Sequence, residues 1–190
     1  MAGTRWLSAE EQETWRSFLC ACHAFFSAVD AQLQRDSGMP HAYYEILVRL
    51  SEAPGHALRM SQLAEATSAS KSRSSHAVAR LEERGWVRRT DCPTDRRGQV
   101  AELTEEGYAA LDEAARGHVE QVRQSLFDVL TPEQVKQLRT ISEAMIAAGG
   151  GRGKVAFPPV CPSGDEPAEC DETGQAGELR ETVPAPPARR

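Results

Sequence analysis

Residues 70–85 read SKSRSSHAVARLEERG, and residues 86–104 continue as WVRRTDCPTDRRGQVAELT. At about 100° per residue, a helix over the first part sets Ser74, Ala77, Val78 and Leu81 on one side and Ser72, Ser75, His76 and Ala79 on the other. One side can pack; the other is polar without being acidic. Arg73, Arg80 and Arg84 fall along a flank, and Lys71 stands in the first turn, where the positive end of the helix dipole favours phosphate. Hydroxyls and alanine keep the outward face slim enough for a major groove, and acids enter only in the last turn, at Glu82 and Glu83. Gly85 is placed to end the helix, and Trp86 to Asp91 alternates toward a strand.

Working outward, Cys92 to Gly98 forms a loop with Arg96 and Arg97 at its tip, shaped by Pro93 and Gly98, and Val100 to Leu103 supplies the returning strand. Such a loop reaches the minor groove or the backbone beside the groove that a helix occupies. On the other side, residues 57–60 are long enough only for a bridge-like strand. Ser61 is expected to cap a short helix, QLAEA, and Thr67, Ser68 and Ala69 make the turn into the opening stretch. Two short helices meeting at such a turn, followed by a hairpin, spell a winged helix-turn-helix.

Long helices flank this unit. Ser8 and Glu11 have capping-box spacing, and Trp15, Phe18, Leu19, Cys22, Phe25, Phe26, Val29 and Leu33 then recur at intervals of three and four. A stripe that wide and aromatic needs more cover than one neighbouring helix. A second helix is predicted from His41 to Glu52, burying Tyr44, Leu47 and Val48, and stopped by Pro54 and Gly55. After Thr104 another long helix carries Tyr108, Leu111, Ala115, His118 or Val119, Val122, Leu126 and Val129 near a 3.5-residue repeat, the signature of helix against helix. Thr131, Pro132 and Gln134 restart the chain, with Val135, Leu138, Ile141 and Met145 expected to face inward until the glycines at 149–151.

The 190 residues carry a formal charge of −6, which looks unsuited to a polyanion, yet the charge is unevenly placed. From Ala57 to Gln99 nine basic residues stand against five acidic ones, a surplus of four. No stretch approaches the ~18 apolar residues of a membrane span, and the beginning turns acidic too soon for a signal peptide, so the cytoplasm is expected and a membrane is not. The five cysteines, Cys20, Cys22, Cys92, Cys161 and Cys170, show no framework spacing and read as thiols. Cys20, Cys22 and His23 lie too close along one helix to converge on a metal, so neither metal nor cofactor is expected. Ser68 to Lys71 matches the S-x-x-K pattern of penicillin-binding enzymes, but its companion motifs S-D-N and K-T-G do not occur, and no nucleophile, base and oxyanion group recur at a plausible spacing. The chain does not read as an enzyme.

The order helix, helix, helix-turn-helix, wing, long helix, terminal helix resembles the MarR family of bacterial transcription regulators. The residues that carry the likeness are Asp95, Arg96 and Arg97 followed by Leu103, Thr104 and Gly107, which look like the family's wing signature D-x-R and L-T-x-x-G. The resemblance covers about Leu7 to Ala148. It implies a mainly α fold with a small β-wing: an N-terminal dimerisation helix over 1–36, a winged helix-turn-helix domain over 37–104 and C-terminal dimerisation helices over 105–148. Residues 149–190, rich in Pro, Gly and acid, read as a disordered tail.

The expected partners are double-stranded DNA and a second copy of the chain, and the expected role is that of a ligand-responsive repressor on a palindromic operator. The DNA-contacting set is Lys71, Ser72, Arg73, Ser75, His76, Arg80, Arg88, Asp95, Arg96 and Arg97. The resemblance implies that Asp95 pairs with Arg97 to hold the wing, that Arg97 enters the minor groove, and that Arg80 matches the family's basic residue late in the recognition helix. It also implies a pocket for a small phenolic or lipophilic effector, for which Trp15, Phe18, Cys22, His41, Tyr44 and Arg59 are candidates. Two alternatives stand beside this reading: a thiol-based redox sensor using Cys20 or Cys22, and a winged-helix interaction module without DNA binding.

Overall fold

The computed structural model describes residues 3–92 and 95–149, the side chains of Cys92 and of 95–97 excepted. The expected tail therefore lies outside the described residues, as do the tip of the wing and the proposed Asp95 to Arg97 pairing.

The first helix, α1 (Ala9–Ser37), begins where the capping box places it: the Ser8 N–H donates to Glu11 Oε2 at 2.7 Å and the Glu11 N–H returns to Ser8 Oγ at 3.1 Å. Gly38, in the left-handed region, ends it. α2 (His41–Glu52) follows, then a single 3₁₀ turn over Pro54–His56, β1 (Ala57–Arg59), α3 (Met60–Ala66) and α4 (Lys71–Glu83). α3 starts earlier than expected. Gln62 Oε1, rather than a Ser61 cap, reaches back to accept the Arg59 N–H at 3.1 Å, and this draws Met60 and Ser61 into the first turn.

β2 (Val87–Cys92) and β3 (Asp95–Leu103) form the wing, and β1 pairs with the far side of β3, giving an antiparallel sheet in the order β1-β3-β2. β3 is longer than the four residues expected because its pairing with β2 continues, past a register shift at Asp91 and Cys92, into the arginine-bearing segment. α5 (Glu105–Val122) starts on a Thr104 cap. Gly107 sits hard against the backbone that leads into β2: a Cβ there would overlap the Trp86 carbonyl, so no larger residue fits without moving the backbone.

The long helix expected to run through Val129 gives way to a π turn over Arg123–Phe127, closed by the Asp128 N–H on the Arg123 carbonyl at 2.8 Å. The extra residue per turn shifts the phase of the seam. α6 (Pro132–Ala148) then starts from Thr131, Pro132 and Gln134 as expected.

One apolar core runs through α2, α3, α4, the sheet, the C-terminal third of α1 and the middle of α5. Leu47, Leu50, Leu63, Val78, Leu81 and Ala101 are fully buried, and Val29 and Leu33 of α1 meet Leu111 and Ala114 of α5 at its upper edge. The expectation that Val135, Leu138, Ile141 and Met145 face inward does not hold within one protomer: α6 buries none of its residues, and Ile141 is 56% exposed. The first half of α1 is likewise uncovered. Periodicity specifies that a face is apolar, and it leaves open whether the same chain supplies the cover.

Candidate nucleic-acid interface

α4 is held from both ends and beneath. Ser70 caps it, its Oγ accepting the Arg73 N–H at 3.3 Å, and Ser74, Val78 and Leu81 fill the inward face. At the other end Gly85 adopts φ +73°, a conformation open to glycine, which lets the Trp86 N–H reach the Leu81 carbonyl at 3.0 Å. Lys71, Ser72, Arg73, Ser75, His76 and Arg80 all remain exposed along one continuous surface. The split predicted from periodicity is therefore the observed one, except that Ala79 is half-buried.

The basic residues on this surface are not equivalent. Arg80 forms an ion pair with Glu83 at 2.7 Å, and Arg88 of β2 forms one with Glu102 of β3 at 2.9 Å. Among the described residues no carboxylate pairs with Lys71 or Arg73, so the uncompensated charge gathers at the N-terminal end of α4, where the helix dipole adds to it. A cleft of about 380 Å³ opens beside that end, bounded by Arg59, Met60, Ser61, Lys71, Ser75, Gly98 and Gln99. It lies between the recognition-type helix and the base of the wing.

Two other arginines are engaged by the protein's own groups, Arg84 while still exposed and Arg89 half-buried. Arg84, expected along the same flank as Arg73 and Arg80, turns toward the α1–α2 corner: it donates to the Gly38 carbonyl at 3.1 Å, and its guanidinium carbon lies 4.8 Å from the Trp86 ring centre and 5.8 Å from that of Tyr43. Arg89, next to the outward Arg88, points to α4, where Glu82 takes its backbone N–H and its side chain. Adjacent residues on a strand face opposite ways, so the sequence shows that one arginine of the pair is turned in; which one depends on the register.

The candidate effector residues separate into three places. His41 and Tyr44 meet His118 of α5, with ring centres 6.2 and 4.3 Å from it, and Phe26 of α1 stacks edge-on against His41 at 5.9 Å. The His41 N–H donates to Asp30 Oδ1 at 2.8 Å, fixing the start of α2 against α1. Burial, with the Glu52 charge adding to it, pushes the Tyr44 phenol up to about 12, so it stays protonated at any neutral pH. Burial, and then His41, hold His118 below the ordinary histidine range. Gln32 Oε1 and His118 Nδ1 are buried with no hydrogen-bond partner among the described residues.

Trp15 and Phe18 pair with each other at 6.3 Å on the exposed half of α1, and Cys22 is half-buried one turn before Phe26. Arg59 lies in the cleft beside Lys71, because β1 ends there and α3 begins at once. His118 is the member of this aromatic group that sequence reasoning left out of the candidate effector set. Its place on the α5 seam was visible, but the convergence of α2 on that turn was not. Cys20 is exposed, and neither it nor Cys22 has a hydrogen-bond partner among the described residues.

The family model of the MarR family matches residues 37–98, the winged unit itself. The crystal structure of Sco3205, a MarR family transcriptional regulator from Streptomyces coelicolor, in complex with DNA, is 55% identical; the match covers 77% of this chain and 91% of that one, with a TM-score of 0.74. The chain belongs to the MarR family. AbsC, a second MarR family regulator from the same organism, is 40% identical over 78% of this chain and 99% of its own, with a TM-score of 0.73. The HTH-type transcriptional regulator PecS of Dickeya dadantii (strain 3937) is 34% identical over 103 residues, and this chain spans 59% of its length. The MarR family and these relatives are transcriptional regulators, not enzymes.

Proposed function

We propose that this MarR-family chain is a homodimeric, DNA-binding repressor whose affinity is lowered by a small ligand. The observation that carries the reading is the exposed face of α4: hydroxyls and His76 at the centre, Lys71 and Arg73 at its N-terminal end with no carboxylate partner among the described residues, and the wing beside it. Ser72, Ser75 and His76 are suited to base edges, and Lys71, Arg73, Arg80 and Arg88 to phosphates. Arg96 and Arg97 would contact DNA from the wing, with Asp95 holding it. The uncovered apolar faces of α1 and α6 support a dimer built from residues 1–36 and 105–148, with 37–104 as the DNA-binding domain. Two such lobes fit half-sites about 34–36 Å apart on a near-palindromic operator. The group His41, Tyr44 and His118, with two buried polar atoms still to be satisfied nearby, supports a phenolic or lipophilic effector bearing a polar group.

Titration of the full chain on the DNA flanking its own gene, over a salt series and with a panel of phenols, tests this reading. A two-fold symmetric footprint, weakened by at least one phenol, is expected. Replacing Arg97 with alanine should weaken binding and reduce the steepness of the salt dependence by roughly one phosphate contact, about 0.9 in the logarithmic slope. Binding that does not distinguish this DNA from an unrelated duplex would overturn the reading.

A further inference from the structure

Arg89 is an arginine in a basic hairpin that makes no use of its charge at the surface. Its side chain is 20% exposed, against 64% for Arg88. Its guanidinium donates to the Ser75 carbonyl at 2.6 Å, and Nε lies 3.1 Å from Glu82 Oε2, within ion-pair range though not aligned as a hydrogen bond. The backbone N–H of the same residue donates to the other oxygen of Glu82 at 3.0 Å. Ser75 and Glu82 are seven residues apart, two helical turns or about 10 Å along α4. One residue of the wing strand is thus fixed to the recognition-type helix at two separated points, which sets the angle between them as well as the distance.

The two anchors differ in kind. Ser75 is a proposed base reader, and its carbonyl, already used within the helix, has a second lone pair to offer. Glu82 is one of the acids that the polar face tolerates only in its last turn, and its carboxylate is turned to β2, away from any approaching phosphate. Beside this clamp the buried contacts between α4 and the sheet are apolar, Val78 and Leu81 sharing a core with Val87 and Ala101, and the strand residue facing Arg89 is Ala101, which has no polar side chain to offer.

We propose that Arg89 is a positioning residue that determines operator specificity by fixing the wing to the helix that reads the bases, and that it is not a phosphate contact. The inference rests on the DNA-binding reading. A lysine, with one compact ammonium, cannot replace a planar fork that meets a carbonyl and a carboxylate at once.

The experiment uses the full chain on two duplexes of equal length, the footprinted operator and a scrambled one, each over a salt series. The wild type is measured first; failure to prefer the operator would sink the DNA-binding reading before any variant is made. Arg89→Lys and Arg89→Ala are expected to lower operator affinity roughly tenfold, the scale of one charge-assisted hydrogen bond lost, while leaving the scrambled-duplex affinity and its salt slope unchanged. Glu82→Gln, which keeps an acceptor for the Arg89 N–H but removes the ion pair, should fall between them and the wild type. Arg88→Ala should do the reverse, weakening both duplexes together with a lower slope. If Arg89→Ala behaves as Arg88→Ala does, or if Arg89→Lys equals the wild type on both duplexes, the proposal is overturned. Circular dichroism and sedimentation accompany each variant, and should the alanine form fail to fold, the lysine form decides alone.

Discussion

The winged lobe and the outer helices are written with the same apolar periodicity and end in opposite states. In the lobe, Leu47, Leu63, Val78 and Leu81 are fully buried by the chain's own elements. Outside it, Trp15, Phe18, Ile141 and Met145 repeat at the same helical spacing and lie between 41% and 56% exposed. A monomer rarely leaves so many large apolar side chains on one surface unless something else covers them. The contrast separates two kinds of core, one closed within the protomer and one that a single protomer leaves open, and it predicts that mutations in them will fail in different measurements.

The largest effect is expected where the open face is charged. Ile141→Glu places a carboxylate on a surface that solvates it in the isolated chain, so the protomer should keep its helical spectrum. In a dimer the same carboxylate would be buried without a partner, a penalty of several kcal/mol. Sedimentation should therefore show the mass of one protomer, and operator affinity should fall on the order of a hundredfold or more, since each ~1.4 kcal/mol is a factor of ten. A dimer of unchanged stability would remove α6 from the interface.

Leu81→Ala is the counterpart in the closed core. Leu81 is 0% exposed beneath α4, so truncation leaves a cavity whose cost is about 2–5 kcal/mol of folding stability, read in a denaturant titration. At concentrations where the variant remains folded, its sedimentation should still be that of the wild-type assembly. Loss of assembly without loss of stability would show that the two cores are not independent.

What the sequence made legible follows the same division. Elements defined by local chemistry were readable: the Ser8 and Thr131 caps, the helix start after Thr104, the Gly85 stop, and the inward face of α4, because each is settled by residues within a turn or two. The π turn at Arg123–Phe127 was not, since nothing in RQSLF breaks a helix. The arginines show the limit most clearly. Arg80, Arg84, Arg88 and Arg89 look alike along the chain, yet two are paired at the surface, one rests on Trp86 and Tyr43, and one is clamped to Ser75 and Glu82. Charge counting gave all four equal weight; their partners are strand and helix neighbours fixed by sheet register and by the α1–α2 corner. Arg59 was misplaced for the same reason, its surroundings being set by Lys71 and the base of the wing.

The smallest effect concerns the seam where the two regions meet, on α5. His118 faces Tyr44 and His41 there, close to the junction that Asp30 makes with the start of α2. Its pKa is lowered in the fold, chiefly by burial and then by His41, so the native state favours the neutral ring. The unfolded chain, with an ordinary histidine near 6.5, takes up the proton first as the pH falls, and linkage then favours unfolding. The stability that the neutral ring contributes is complete above that value and is lost as the pH drops through it toward the lower folded value. Tyr44, at about 12, does not titrate in this window and cannot mask the effect. The midpoint of thermal unfolding should therefore decline between about pH 7.5 and 5.5, and His118→Gln, which keeps a polar group but cannot titrate, should decline less steeply. Equal slopes would mean that the burial of this ring does not couple protonation to folding. Tightened binding of a phenol on lowering the pH, absent in His118→Gln, would place the same side chain in contact with the effector.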